Sequence, residues 1–271
     1  MSNSKDSLGN RMKTYENVSR IYLTRRTPVI IRIDGKTFHT FTKGLKKPFD
    51  EILIQTMQNT TRYLCEHIQG CKLAYTQSDE ISLLLIDYDT IDTCAWFDNN
   101  LQKIVSVAAS MATMAFNCFM QQQFQLLEKP EDTTVQSDYD DYYWTIYDKQ
   151  CFLAGAMFDA RAFILPKDEI CNYFIWRQQD CTRNSIEMVG MSYFSDKELF
   201  KKNCSDIQDM LHEQKNVNWN DFPTYQKRGS CIVKDAKWAV DKDIPIFTQD
   251  RNYIEKYVFP EKVNGKINEN K

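Results

Sequence analysis

Val29-Ile30-Ile31-Arg32-Ile33-Asp34-Gly35 sets a β-branched apolar run directly against an acidic turn. Such runs form buried strands, and an Asp-Gly pair ends them because both residues favour turns. A second acidic turn, Ser78-Asp79-Glu80, separates the apolar runs Leu73-Ala74-Tyr75 and 81–86, which reads as a hairpin. Carboxylates placed where strands end are positioned to clamp divalent metal on the phosphates of a nucleoside triphosphate. That is the ground plan of a nucleotidyl-transfer palm.

Outward from these turns the elements alternate. The spacing of Leu8, Met12 and Tyr15 predicts a helix from Ser7 to about Leu23, ended by Thr27-Pro28. Asp50 precedes Leu53, Met57, Thr61 and Leu64, the stripe of an amphipathic helix closing near Gly70. Ile104, Val107, Ala108, Met111, Ala115 and Phe119 predict a long apolar helix, and residues 157–165 a further strand ending at Pro166. The order β-α-β-β-α-β is the split, ferredoxin-like pattern of an α+β palm. We therefore expect a catalytic palm over 1–166 and a C-terminal helical extension over 167–271. In the extension, Trp176 is expected in the core, Ser195 with Glu198 and Ser205 with Gln208 read as capping boxes, and 231–233 and 244–247 as candidate strands. The acidic, tyrosine-rich stretch 128–148 reads as a surface excursion.

Composition narrows the chemistry. A formal charge of -3 excludes a simple polycation, so a nucleic-acid partner must meet local patches: Arg25-Arg26, Lys43-Lys46-Lys47, Lys201-Lys202 and Lys227-Arg228. Nine scattered cysteines, never two residues apart, suggest reduced thiols rather than disulfides or a zinc ribbon. Three histidines without metal-ligand spacing leave hard oxygen ligands and favour magnesium. The apolar runs look too short to cross a bilayer and the N-terminal residues have no signal-peptide core, so a cytoplasmic protein without membrane association is expected.

Three segments sharpen this reading: RIDGKTFHTFTKGLKKPFD (32–50), AYTQSDEIS (74–82) and FIWRQQDC (174–181). In sequence, order and spacing they resemble the signature segments of the tRNA-His guanylyltransferase superfamily, with a likeness running from about Ser7 to at least Arg228. The resemblance implies a palm-like enzyme that extends RNA in the 3′-to-5′ direction at a tRNA 5′ end, using two Mg2+ ions, with ATP and GTP as substrates and a homotetrameric assembly. By motif, it implies Asp34, the Gly35 carbonyl and Asp79 as metal ligands, and Glu80 as the neighbouring catalytic acid. It implies nucleotide contacts from Lys36, Thr37, Phe38, His39, Lys47 and Ser78, with Lys103 and Arg161 at similar positions. Arg177 and Asn184 in the third motif, and Lys227 and Arg228, become RNA-binding candidates.

Where members specific for tRNA-His carry His-Ile-Asn-Asn-Leu-Tyr-Asn-Thr, this chain has Thr182-Arg183-Asn184-Ser185-Ile186-Glu187-Met188-Val189, keeping only Asn184. It thus resembles the bacterial-type branch, which implies template-directed repair of 5′-truncated tRNA. Two alternatives stand beside this reading. A nucleotide cyclase would make a cyclic product from triphosphate without RNA, and a ferredoxin-like RNA-binding module would bind single strands through aromatics without turnover.

Overall fold

The first strand, β1 (Val29–Gly35), is apolar at every position from Val29 to Ile31 because both of its faces are covered. The computed structural model describes residues 7–126 and 144–259. Around β1 the strands β2 (Cys71–Gln77), β3 (Glu80–Leu85), β4 (Phe158–Ile164), β5 (Ser230–Lys234) and β6 (Trp238–Asp241) form a six-stranded sheet in the order β4-β1-β3-β2-β5-β6. All five pairings are antiparallel. β1 to β4 carry the expected ferredoxin-like order, and β5 and β6 continue the sheet past β2.

Strand alternation sends Val29, Ile31, Ile33, Ile81, Leu83 and Leu85 to one face. There they meet α3 (Glu51–His67) and α4 (Leu101–Gln125), which supply Leu64, Ile104, Ala108 and Phe116. The same core receives Phe38 and Phe41 of the single-turn helix α2 (Phe38–Phe41). Ile30, Leu73, Tyr75 and Leu84 point the other way, against α5 (Ile170–Tyr193), the buried segment at Ile244 and Phe247, and the final helix (Asn252–Val258). Each such aliphatic side chain contributes about 1.5–3 kcal/mol on burial, so this double-sided packing fixes where the strand ends project. A third cluster joins the end of α5 to the helix Cys204–Lys215 through Ile186, Val189, Ile207 and Leu211.

Several expectations need correction. The first helix, α1 (Ser7–Val18), stops before Leu23 and buries nothing; Leu8, Met12 and Tyr15 form an exposed stripe. The 244–247 stretch is buried without being a strand, whereas Trp238–Asp241 pairs with β5 and was not expected, being only four residues long. The Ser195–Glu198 capping box is present, but the next helix is capped by Asn203 with Asp206 in place of Ser205 with Gln208. Trp176 is half exposed and not core. Helix α4 is long and apolar enough by length and composition to cross a membrane, contrary to the reading of its runs as too short, while its Ile104–Phe124 stripe packs on the sheet. Most of the 128–148 stretch lies outside the described residues; residues 144–148 are helical.

Candidate active site

Asp34 sits one residue from the end of β1, directly opposite Glu80 on β3 and Asp159 on β4. Asp79 occupies the tight β2–β3 turn, and the Gly35 N–H donates to its carbonyl oxygen at 3.2 Å, joining the two acidic turns. Burial pushes the Asp79 carboxyl above its ordinary range, and the nearby Asp34 charge adds to the shift; the Ser78 hydroxyl offsets part of it. A like charge beside a buried carboxyl raises its cost of ionisation, and a divalent cation close by relieves it. Ser78, at φ 48°, turns the chain in the left-handed region, as does Thr37 at φ 50° in the neighbouring loop.

Gly35 has no room for a side chain. A Cβ there would lie 2.2 Å from Cδ2 of Phe38, whose ring packs against Phe41, Phe116 and Phe158 at centroid distances of 5.0, 5.5 and 5.5 Å. We expect Gly35→Ala to cost about 1–3 kcal/mol by overpacking and to displace the Asp34 turn; a thermal midpoint equal to wild type would contradict this packing.

Beside the carboxylates opens a cleft of about 680 Å³. Gly35, Thr37, His39, Lys43, Lys46, Lys47, Ser78 and Asp79 line it, with Met188 and Met191 of α5 on the far wall. Asp50 builds the lysine-bearing side. Its carboxylate accepts from the Leu53 N–H at 2.9 Å, capping α3, and from the Lys46 N–H at 3.0 Å; the Tyr147 hydroxyl donates to it as well. Lys43, Lys46 and Lys47 together with the Asp79 carboxylate in one cleft make the charge pattern of a metal-bound polyphosphate site.

The candidate residues divide clearly. Gly35, Thr37, His39, Lys47, Ser78 and Asp79 line the cleft, with His39 exposed, while Asp34 stands beside Gly35 at the end of β1 and does not line it. Lys36 donates its N–H to the Met157 carbonyl at 2.8 Å and lines an adjoining cavity of about 290 Å³. Asn184 borders a smaller cavity together with Ser78 and Gln77. Phe38 reaches the cleft wall, but its ring is core and available for no nucleotide contact through the aromatic face. Lys103 stands apart. It lies in the first turn of α4, about 15 Å along the axis from Thr113, which bonds the start of β4 near the site. Its ammonium lies over the Phe97 ring.

Glu80 does not join the pair of aspartates. Its Oε1 accepts from Arg177 Nε at 2.7 Å, and Arg177 Nη2 reaches Asp180 at 2.9 Å, all three side chains being largely buried. Burial pushes the Glu80 carboxyl up, and the Arg177 guanidinium offsets part of that. Arg177 is therefore an internal partner of the catalytic turn and is not free for RNA. Lys227 is likewise internal: it donates to the Asn220 carbonyl over the Trp219 ring, and burial holds its ammonium below the usual range. Neighbouring Arg228 is half-buried, and its carbonyl accepts from the Tyr75 hydroxyl at 2.7 Å. Arg161, on β4, is exposed and contacts Asp159 at 3.4 Å, outside the cleft.

Sequence reasoning missed Asp159, which shares Asp34's row only through strand register, and the methionine wall, which reads as a core stripe until α5 is placed. Among the described residues no three His, Cys, Asp or Glu side chains gather into a metal cage. The chain thus offers two carboxylates and the Gly35 turn, a hard-oxygen set that fits magnesium completed by phosphate and water oxygens.

The family model described as Thg1, tRNAHis guanylyltransferase, matches residues 9–166. The chain belongs to this family. It is a nucleotidyltransferase acting at the 5′ end of tRNA. Among tRNAHis guanylyltransferase relatives, a bacterial tRNA(His) guanylyltransferase (Thg1)-like protein in complex with ATP superposes with a TM-score of 0.81 at 49% identity, over 93% of this chain and 100% of that one. A complex of such a protein with GTP gives 0.76 at 45% identity, over 94% and 100%. The tRNA(His) guanylyltransferase of Debaryomyces hansenii is 26% identical over 82% of this chain and 79% of its own.

Proposed function

We propose that this enzyme extends 5′-truncated tRNAs in the 3′-to-5′ direction, with the opposite strand of the acceptor stem selecting each nucleotide, and that ATP and GTP enter the lysine-lined cleft. The observation that carries this is the joining of the Asp34–Gly35 and Ser78–Asp79 turns by the Gly35–Asp79 hydrogen bond, which brings the Asp34 charge near the Asp79 carboxyl, with Gly35, Ser78 and Asp79 lining that cleft. The nucleotide complexes of the bacterial-type relatives and the loss of the tRNA-His-type segment at 182–189 support it.

Asp34, Asp79 and the Gly35 carbonyl would hold Mg2+, which when bound lowers the pKa of an attacking hydroxyl and neutralises charge on the departing phosphate. The chain's own part is placement. Lys43, Lys46 and Lys47 screen the triphosphate, the Ser78 turn sets the Asp79 carboxylate, and the Arg177 pair keeps Glu80 from competing for the same space. A 5′-monophosphate end is first activated by ATP, after which the 3′-hydroxyl of the incoming nucleotide attacks and AMP leaves. A 5′-triphosphate end reacts directly and releases pyrophosphate. Residues 1–166 are read as the catalytic palm and 167–271 as the extension that walls it. A cytoplasmic homotetramer without membrane association completes the proposal, and the exposed Leu8, Met12 and Tyr15 stripe supports assembly.

The deciding assay incubates a 5′-truncated tRNA with labelled nucleotides while the opposite base is varied among C, G, A and U. Incorporation that follows the complement supports templated repair; guanosine regardless of the opposite base, or a cyclic product without RNA, rejects it. Lys47→Ala should weaken ATP binding about tenfold, the scale of one charge-assisted phosphate contact; an unchanged dissociation constant in equilibrium dialysis would remove the cleft from the account.

A further inference from the structure

Just before β4 the chain builds a second cavity that the triphosphate cleft does not use. Segment 149–157 is held in place from two directions. Asn117 of α4 accepts the Ala156 N–H at 2.8 Å and donates to the Ala156 carbonyl at 2.9 Å, and Gln121 donates to the Cys151 carbonyl at 2.9 Å. Gly155, at φ 64°, donates its N–H to the Gln150 carbonyl at 3.1 Å, and the Lys36 N–H ties Met157 to the loop that follows Gly35. The cavity of about 290 Å³ lies between this segment and the turn of Lys36, Thr37 and Thr40.

Its charge has one sign. Lys36 and Lys149 are both exposed, neither enters an ion pair among the described residues, and no carboxylate is among the residues that line the cavity. Thr37, Thr40 and the Gln150 amide add neutral donors, while Ala154, Gly155 and Ala156 leave room for a polymer backbone to approach. The aromatic in its lining, Phe41, is 7% exposed and belongs to the core, so it offers no face to a base. Ammonium and hydroxyl groups without a stacking surface hold sugar-phosphate and read no sequence.

Position says whose phosphate this is. Strand β1 lies between β3 and β4, so Asp34 has the Asp79 turn with the lysine-lined cleft on one side and this cavity on the other, Thr37 touching both. A triphosphate seated in the cleft leaves the cavity to the other reactant.

We propose that the cavity holds a backbone phosphate of the RNA strand whose 5′ end is extended, gripped by Lys36 and Lys149 and hydrogen-bonded by Thr37, Thr40 and Gln150. This rests on the tRNA substrate proposed above. Contacts confined to the backbone suit an enzyme that accepts truncated ends of differing sequence. The phosphates of a free nucleotide share this chemistry, and binding measurements on the full chain separate the two sources.

Lys149→Gln should weaken binding of a 5′-truncated tRNA about tenfold at about 0.1 M salt, the scale of one charge-assisted phosphate contact. It should also lower the slope of log affinity against log salt by about 1. Lys149→Arg, which keeps the charge, should stay within about twofold of wild type for tRNA, and ATP affinity in Lys149→Gln should be equally unmoved. If Lys149→Gln does not fold, Lys36→Gln carries the same tRNA measurements with the same criteria. An unchanged tRNA affinity and salt slope overturn the proposal, as does a Lys149→Arg variant as weak as Lys149→Gln; weakened ATP binding with tRNA binding intact overturns it in favour of the free nucleotide. The two readings fail separately: guanosine addition regardless of the opposite base removes templated repair alone, whereas an unchanged salt slope beside complement-directed addition removes only the cavity.

Discussion

Asp79→Ala is expected to abolish nucleotide addition, lowering turnover by at least about a thousandfold, with Asp34→Ala equivalent. Each substitution takes one of the two carboxylates on the turns that the Gly35–Asp79 hydrogen bond joins, and the remaining one cannot hold the ion against the phosphates alone. The fold should persist, because Asp79 lies in a turn and Asp34 near a strand end, and removing the Asp79 carboxyl, which burial and the nearby Asp34 charge disfavour, relieves repulsion. Thermal melting and turnover measured together check this. Activity within tenfold of wild type, or a collapsed thermal midpoint, would contradict it. The double variant should be no worse than either single one, since the two groups act as a unit.

The second large effect is structural. Arg177→Leu should destabilise the enzyme by about 3–5 kcal/mol, since it leaves Glu80 charged and unpaired in a buried site. For a chain of this size that corresponds to a fall of roughly 10 °C in Tm. Arg177→Met combined with Glu80→Gln removes both charges and should recover much of the loss, because the penalty belongs to the orphaned partner rather than to the missing attraction. Additive losses in the double variant would refute the pairing. Even the recovered double variant should turn over slowly, as the turn carrying Asp79 would lose its anchor to α5.

These two sites differ in how visible they are in the chain. Asp34 and Asp79 are legible because a strand must end at a turn, and the residues of that turn stand beside the apolar run that announces it. The order of β1 to β4 was legible for the same reason. The fate of Arg177 was not, since its partner Glu80 is 97 positions away and only packing of α5 on the sheet brings them together. The place of Lys103 was hidden for a similar reason: its motif position says nothing of where along a long helix it falls. Trp176 read as core because aromatics usually are, whereas its place beyond the covered part of the sheet leaves it half open. Strand β6 was too short to show an alternation.

Asp50 carries a consequence for how the enzyme meets its substrate. One carboxylate begins α3, holds the Lys46 backbone and receives the Tyr147 hydroxyl. The loop bearing the three cleft lysines is thus immobilised before any nucleotide arrives, and little ordering entropy remains to be lost on capture. Affinity for the polyphosphate therefore depends on an anion that repels it, stationed behind the cations as their mooring.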